Sequence, residues 1–168
     1  MAVGSLTFFC GKMGAGKSTQ SKKLARAQNA VLISEDDWLA NLYPDQINTL
    51  EDYVEYSGRL KPLLQEHIGN LLRTGTHVVM DFPGNTPKQR AWFKQLCDAS
   101  DIEGRLIYLK ISDEKCLEQL AIRREEQPER NQFDTEEMFR KVSSFFSEPQ
   151  TSEGFKLEVV EDGIIKDV

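Results

Sequence analysis

The chain has 168 residues, of which 39% are hydrophobic and 29% are charged, and its formal net charge at pH 7 is −6. These values are typical of one globular domain with a sizeable core, and the acidic balance argues against a broad surface for long nucleic acid without excluding a local basic cleft. No stretch reaches the roughly 18 consecutive apolar residues needed to cross a bilayer, and no basic segment precedes an apolar run at the N-terminus, so we expect a cytoplasmic protein with no membrane partner.

The first predicted element is a buried strand over residues 6–10, followed by a glycine-rich loop and a helix over residues 19–29. The loop, GKMGAGKS at residues 11–18, matches the phosphate-binding pattern G-x-x-x-x-G-K-[ST]. Its glycines allow successive N–H groups to point at one anion, and the helix N-terminus adds partial positive charge. We expect Lys17 to reach the β- and γ-phosphates of ATP and the Ser18 hydroxyl to bind Mg²⁺. The predicted ATP contacts in this region are Gly11, Lys12, Met13, Gly14, Ala15, Gly16, Lys17, Ser18 and Thr19.

A second short strand over residues 31–33 leads into a helix that Ser34 is predicted to cap. Asp36 and Asp37 lie at the start of this helix. A carboxylate in this position could orient an acceptor hydroxyl and take its proton during phosphoryl transfer. The alternative is that both acids only complement the helix dipole.

A helix predicted from Asn48 to Arg73 precedes a third strand over residues 77–81. Asp81, at the end of that strand, is predicted to hold Mg²⁺ or to bind the acceptor, the alternative being an ordinary turn acid. Asp81 and Gly84 also match the D-x-x-G element of GTPase switches. The chain has no N-K-x-D tetrapeptide to read guanine, so the switch interpretation is the weaker one.

Thr86 and Pro87 begin another helix, on which Arg90 either contacts the acceptor or lies on a solvated face. A fourth strand over residues 105–110 and a helix from Ser112 follow. That helix ends in a polar, proline-broken stretch that predicts a lid over about residues 123–133, with arginines to stabilise phosphate charge. The alternative is a solvated helix end in which arginines and glutamates pair. The lid arginines predicted to contact ATP are Arg123, Arg124 and Arg130, with Arg123 as the first choice for catalysis.

Asp134 is predicted to cap a last helix, which a fifth strand over residues 155–160 follows. Strands and helices alternate throughout, which predicts a single α/β domain over residues 1–168, with a five-stranded parallel sheet and helices on both faces. Ligands of such sheets lie outside the carboxyl ends of the strands, so the phosphate-binding loop, Asp36, Asp37 and Asp81 should meet in one cleft. The cysteines, Cys10, Cys97 and Cys116, are odd in number and scattered, so we expect three small apolar residues in a reducing cytoplasm.

With these residues the chain resembles the small P-loop kinases of the nucleoside-monophosphate-kinase-like fold. It is most similar to the compact AAA-type ATP-binding proteins related to chloramphenicol phosphotransferase, zeta toxins and polynucleotide 5′-kinases. The resemblance implies ATP with Mg²⁺, an arginine-bearing lid, and Asp36 as the aspartate that activates the acceptor. Polynucleotide kinases carry an arginine three residues after that aspartate, where this chain has Leu39.

The resulting hypothesis is a P-loop kinase that transfers the γ-phosphate of Mg·ATP to a hydroxyl of a small molecule. Its catalytic candidates are Lys17, Asp36 and Arg123, its metal ligands Ser18 and Asp81, and its substrate contacts Asp36, Asp37, Asp81 and Arg90. Two alternatives stay open: a polynucleotide or RNA 5′-hydroxyl kinase, and a regulatory ATPase or switch without an acceptor.

Overall fold

The computed structural model describes residues 2–161 and the backbone of residues 164–167. In this part of the chain the strands are β1 (Leu6–Cys10), β2 (Val31–Ser34), β3 (Val78–Asp81), β4 (Arg105–Lys110), β5 (Lys156–Glu161) and β6 (Ile164–Asp167). The α-helices are α1 (Lys17–Gln28), α2 (Glu35–Leu42), α3 (Leu50–Arg73), α4 (Pro87–Ala99), α5 (Asp113–Glu126) and α6 (Glu136–Ser143). Short 3₁₀ turns occupy Pro128–Arg130 and Thr151–Glu153.

The strands form one sheet in the order β2-β3-β1-β4-β5-β6. The first five are parallel, which confirms the predicted α/β fold. The structure adds β6, which pairs with β5 in the antiparallel direction and which the sequence analysis did not identify. An antiparallel neighbour needs only a short connection, so no helix precedes it to mark it in the sequence.

Helices cover both faces of the sheet. The side chains of β1 alternate between the two faces and so contribute to two apolar layers. Leu6, Phe8 and Cys10 face the larger layer, which α3 and α4 complete, whereas Phe9 faces the smaller layer with Ala25 of α1. Phe8 stacks on Phe93 of α4 with ring centroids 4.2 Å apart. These buried aromatic and aliphatic contacts fix the position of β1, and therefore the position of the loop that follows it.

Two predicted helix starts need correction. The N-cap of α3 is Thr49, in a reciprocal capping box with Asp52, because the Thr49 hydroxyl accepts a hydrogen bond from the Asp52 N–H. The N-cap of α6 is Thr135, whose hydroxyl accepts from the Met138 N–H at 3.1 Å. The predicted cap of that helix, Asp134, is instead bonded to arginines.

The cysteines Cys10, Cys97 and Cys116 are free and buried in the interior. Among the described residues, we find no helix that is both long enough and apolar enough to cross a membrane.

Candidate active site

The phosphate-binding loop leaves β1 at Gly11 and enters α1 at Lys17. Gly14 and Gly16 have φ values of 80° and 96°, a conformation that favours glycine. A Cβ atom on Gly14 would also lie 2.4 Å from the Cys116 carbonyl oxygen, so α5 packs directly against the loop. The loop turns back on itself where the Ala15 N–H donates to the Lys12 carbonyl at 3.0 Å. The result is a tight backbone turn at a helix N-terminus, the arrangement that binds phosphate.

Asn85 holds the start of this loop from the neighbouring strand connection. Its Oδ1 atom accepts a hydrogen bond from the Gly11 N–H at 2.8 Å, and its own N–H donates to Gln89 Oε1 at 2.9 Å. Sequence reasoning missed this residue. The one signal was its position just before the Thr86 cap, because a capping box holds a segment of chain firmly in place.

Lys17, Ser18 and Asp81 lie together at the carboxyl edge of the sheet. The Ser18 hydroxyl lies close enough to the Asp81 carboxylate to lower its pKa. Desolvation raises the pKa of Asp81, and this increase outweighs the opposing effects of Ser18 and Lys17. Desolvation likewise lowers the pKa of the Lys17 ammonium, against the attraction of Asp81 and Asp36. The loop and β3 therefore bring a cation, a hydroxyl and a carboxylate into one cleft, as the sequence analysis predicted.

Asp36 and Asp37 join the same cleft because Ser34 and Asp81 are register partners on neighbouring parallel strands. Both aspartates lie in the first turn of α2 and are exposed to solvent. Their negative charges contribute to the raised pKa of Asp81, which shows that they lie within electrostatic range of it. The structure thus brings together all the predicted acidic residues near one phosphate-binding loop.

Glu35, just before these aspartates, is a residue that the sequence analysis did not single out. It is the first residue of α2 and is only 1% exposed. The Tyr53 hydroxyl donates to its Oε1 atom and the Ser57 hydroxyl donates to its Oε2 atom at 2.8 Å. Desolvation raises the pKa of this carboxyl, although both hydroxyl donors oppose the increase.

The three predicted lid arginines meet at Asp134, whose side chain is fully buried. Arg123 binds this carboxylate through Nε at 2.6 Å and Nη2 at 2.7 Å, and Arg130 binds it through Nε at 2.9 Å. Arg124 donates to the backbone carbonyl of the same residue. Desolvation lowers the pKa of Arg130, but the hydrogen bond to Asp134 and the negative charges of Asp134 and Asp36 outweigh it. The pKa of Arg130 is therefore raised. Arg130 therefore lies within electrostatic range of Asp36.

Comparison with known proteins assigns this arrangement to a family. A profile of the AAA domain matches residues 6–149. The chain belongs to the AAA domain family. No curated protein matches the sequence.

Solved structures share the fold of this AAA-domain protein over most of its length. A candidate kinase from Chloroflexus aurantiacus J-10-fl has 18% identity and a TM-score of 0.74, covering 98% of this chain and 88% of its own. An APS kinase from Mycobacterium tuberculosis, in complex with AMPPNP and APS, has 16% identity and a TM-score of 0.60, covering 98% and 91%. A gluconokinase from Sinorhizobium meliloti 1021 has 14% identity and a TM-score of 0.58, covering 94% and 82%. These likenesses confirm the P-loop kinase-like fold that the sequence resembled.

The structure corrects the expectation for Arg90 of this AAA-domain protein. Arg90 is 1% exposed, so it lies neither on a solvated face nor open to an acceptor. Its Nε donates to Glu153 at 2.9 Å and its Nη1 donates to the Gly84 carbonyl at 3.0 Å. The physical reason is that the charge is neutralised and hydrogen-bonded internally, which makes burial of a guanidinium tolerable.

Gly84, the last residue of the D-x-x-G match, has a packing role. A Cβ atom on it would lie 2.5 Å from the carbonyl oxygen of Phe9. The segment after β3 therefore needs glycine to lie against β1, which accounts for this glycine without a switch.

A cavity of about 400 Å³ opens on the other side of the loop, toward β4 and β5. Lys12 of the loop lines it and is held by Asp113, with 2.8 Å between Lys12 Nζ and Asp113 Oδ1. Its walls include Tyr108, Ile111, Ser112, Phe146 and Glu148. The cavity and the Asp36–Asp81 cleft thus flank the phosphate-binding loop on opposite sides, because β4 and β3 flank β1.

Proposed function

We propose that this AAA-domain protein transfers the γ-phosphate of Mg·ATP to a hydroxyl group of a small molecule. The observation that carries the proposal is the meeting of Lys17, Ser18 and Asp81 with the exposed carboxylate of Asp36 at one edge of the sheet. A protein that only binds nucleotide has no need of an exposed carboxylate beside the γ-phosphate position, whereas a kinase uses one to orient its acceptor.

The residues present fit ATP and Mg²⁺. The glycine-shaped turn and the first N–H groups of α1 offer a phosphate cradle, and Lys17 supplies the cation beside it. The Ser18 hydroxyl and the Asp81 carboxylate are adjacent oxygen ligands of the kind Mg²⁺ takes in nucleotide sites. When bound there, Mg²⁺ would supply charge neutralisation for the phosphate oxygens.

In the proposed reaction, Asp36 accepts the proton of the acceptor hydroxyl while the hydroxyl oxygen bonds to the γ-phosphorus. The bond from that phosphorus to the bridging β–γ oxygen breaks, and ADP leaves. Lys17 and a lid arginine stabilise the negative charge on the transferring group. Arg123 and Arg130 are the candidates for this role, and Arg130 lies within electrostatic range of Asp36.

The cavity beside Lys12 is the candidate position for the nucleoside of ATP. With the γ-phosphate directed toward Asp36 and Asp81, the rest of the nucleotide extends from the loop toward β4 and β5. Phe146 and Tyr108 offer flat apolar surfaces in a space of about 400 Å³, which is adequate for a nucleoside.

The structural relatives lend support to a small acceptor, since two of them are an APS kinase and a gluconokinase. The net charge of −6 gives no support to the polynucleotide alternative. A cytoplasmic location belongs to the same proposal and is supported by the three buried free cysteines.

The test is ADP release from Mg·ATP, first alone and then with a panel of antibiotics, sugars, nucleosides and 5′-hydroxyl oligonucleotides. An increase of about tenfold or more with one small molecule supports the proposal, since a positioned acceptor hydroxyl replaces adventitious water. An increase with oligonucleotides alone favours the polynucleotide alternative. A flat response with tight nucleotide binding favours the acceptor-free switch.

A further inference from the structure

Glu35 is a buried carboxylate between the last residue of β2 and Asp36 of the candidate active site. The residue before it, Ser34, is the register partner of Asp81, and the residue after it, Asp36, is exposed in the cleft. Glu35 itself points into the protein and is only 1% exposed. Its two carboxylate oxygens receive hydrogen bonds from Tyr53 and Ser57, which lie one turn apart on α3.

The environment of Glu35 disfavours the ionised carboxylate, so a gain in folding stability does not explain this residue. Desolvation raises the pKa of this carboxyl, and the neighbouring charge of Asp36 adds to the increase. Tyr53 and Ser57 oppose it through hydrogen bonds, and the charge of Lys61 opposes it from the same helix. Its direct partners are two neutral hydroxyls. Burial of a charge without a bonded cation costs free energy, so Glu35 contributes no net stabilisation. Its two hydrogen bonds instead fix the orientation of its side chain.

We propose that Glu35 is a positioning residue that fixes the first turn of α2 against α3, so that Asp36 faces Asp81 across the phosphate position. This inference rests on the proposed function. Two hydrogen bonds in fixed directions prevent rotation of the first turn of α2, and a displacement of about 1 Å in a reacting group can cost about 10²-fold in rate. Glu35 acts through Asp36 and touches neither phosphate nor acceptor.

Tyr56 provides a matched control on the same helix. Its hydroxyl donates to Gln46 Oε1 at 3.0 Å, in the connection between α2 and α3, and makes no bond to Glu35. Tyr53→Phe and Tyr56→Phe each remove one tyrosine hydroxyl from α3, but only the first changes the bonding of Glu35.

The experiment is a double-mutant cycle on turnover of Mg·ATP, measured as ADP release with water or with the acceptor that stimulates it. Tyr53→Phe and Ser57→Ala should each lower kcat by about tenfold while KM for ATP changes less than twofold. In the Asp36→Asn background the same substitutions should have no further effect, because residues that act through one group are not additive. Tyr56→Phe should leave kcat within about twofold of the wild-type value.

Glu35→Gln and Glu35→Ala complete the test at a temperature below every variant's melting point. The glutamine can still accept from Tyr53 and donate to Ser57, so we expect it to keep kcat within about threefold, whereas the alanine should match Tyr53→Phe or fall lower. The inference is overturned if Tyr53→Phe lowers Tm but not kcat, or lowers kcat equally with and without Asp36. Failure of the proposed function gives another result, in which Asp36→Asn itself turns over at the wild-type rate and the positioning role falls with it.

Discussion

Ser34 and Asp81 stand opposite each other at the carboxyl ends of β2 and β3. This one pairing explains how the cleft is assembled, since it carries the start of α2, with Asp36, to the strand end that meets the phosphate-binding loop. Asp81 in turn lies close enough to Ser18, at the start of α1, for this hydroxyl to lower its pKa. Three segments that are distant in sequence therefore share one edge of the sheet.

Lys17→Ala should lower turnover of Mg·ATP by about 10³-fold or to below detection, because it removes the cation that stabilises the transferring phosphate. The measurement is ADP release at saturating ATP. Lys23→Ala is the matched control, since Lys23 is an exposed lysine on the same helix. Wild-type turnover by Lys17→Ala would contradict its catalytic role.

Asp36→Asn should leave ATP binding nearly intact and lower phosphate transfer by about 10²-fold or more, because the amide cannot take the acceptor's proton. Isothermal titration with ATP and single-turnover transfer measure the two effects separately. Asp37→Asn makes the same change one residue later, and we expect it mainly to raise KM for the acceptor. If Asp37→Asn loses kcat and Asp36→Asn does not, the roles of the two aspartates are reversed.

Asp81→Asn should raise Tm in the absence of nucleotide while weakening the dependence of turnover on Mg²⁺. Desolvation and the charges of Asp36 and Asp37 raise the pKa of this carboxyl in the folded state, so its ionised form destabilises the fold. The gain should be present at neutral pH and should vanish as the pH falls toward 4, where the wild-type carboxyl is also protonated. Thermal melts across pH test this, and a lower Tm at pH 7 would contradict it.

Asp134→Asn should release Arg123 and Arg130 and destabilise the protein. Breaking a buried ion pair costs about 3–5 kcal/mol, and the partial exposure of Arg123 and Arg130 places our expectation near 3 kcal/mol. Desolvation alone would raise the pKa of Asp134, but the two arginines hold it below its ordinary value.

The sign of the pH dependence follows from that lowered pKa. The stabilisation by Asp134 is fully present above about pH 4 and is lost as the pH falls through the folded-state pKa. Urea unfolding of the wild type should therefore show stability decreasing at acid pH, and Asp134→Asn should show a smaller decrease. Equal slopes for the two proteins would count against the arginine contacts.

Gly84→Ala should destabilise the protein by about 1–3 kcal/mol, because the new Cβ atom would lie 2.5 Å from the Phe9 carbonyl oxygen. Gly58→Ala is the matched control, since a Cβ atom there has no neighbour within 4 Å. In the helix α3 it should stabilise by about 0.5–1 kcal/mol. Chemical denaturation measures both, and a neutral Gly84→Ala would leave the D-x-x-G glycine without its packing explanation.

Much of this architecture could be predicted from the sequence because its signals are local. The phosphate-binding loop is a contiguous motif, and alternating short strands and helices require parallel strands whose carboxyl ends share an edge. The convergence of Asp36 and Asp81 on the loop followed from that rule alone. The cap of α4 at Thr86 is equally local and forms the expected capping box.

What the sequence did not predict depends on contacts between distant positions. Gly11 is bonded to Asn85, 74 residues later, and Arg90 is paired with Glu153, 63 residues later. A pattern that assigns charged residues to the surface fails at Arg90 because its partner is not visible locally. Asp134 was wrongly predicted as a helix cap because its bonds to Arg123 and Arg130 depend on how the chain folds between these residues.

The fate of the γ-phosphate tests the central proposal most directly. Mg·ATP labelled in the γ position would be incubated with the enzyme and with the compound that most increases ADP release, and the products separated. We predict that the label becomes covalently attached to a hydroxyl of that small molecule, in an amount equal to the ADP formed. In Asp36→Asn this labelled product should be lost. Recovery of all the label as inorganic phosphate, whichever compound is present, would contradict a kinase and indicate a nucleotide-hydrolysing switch.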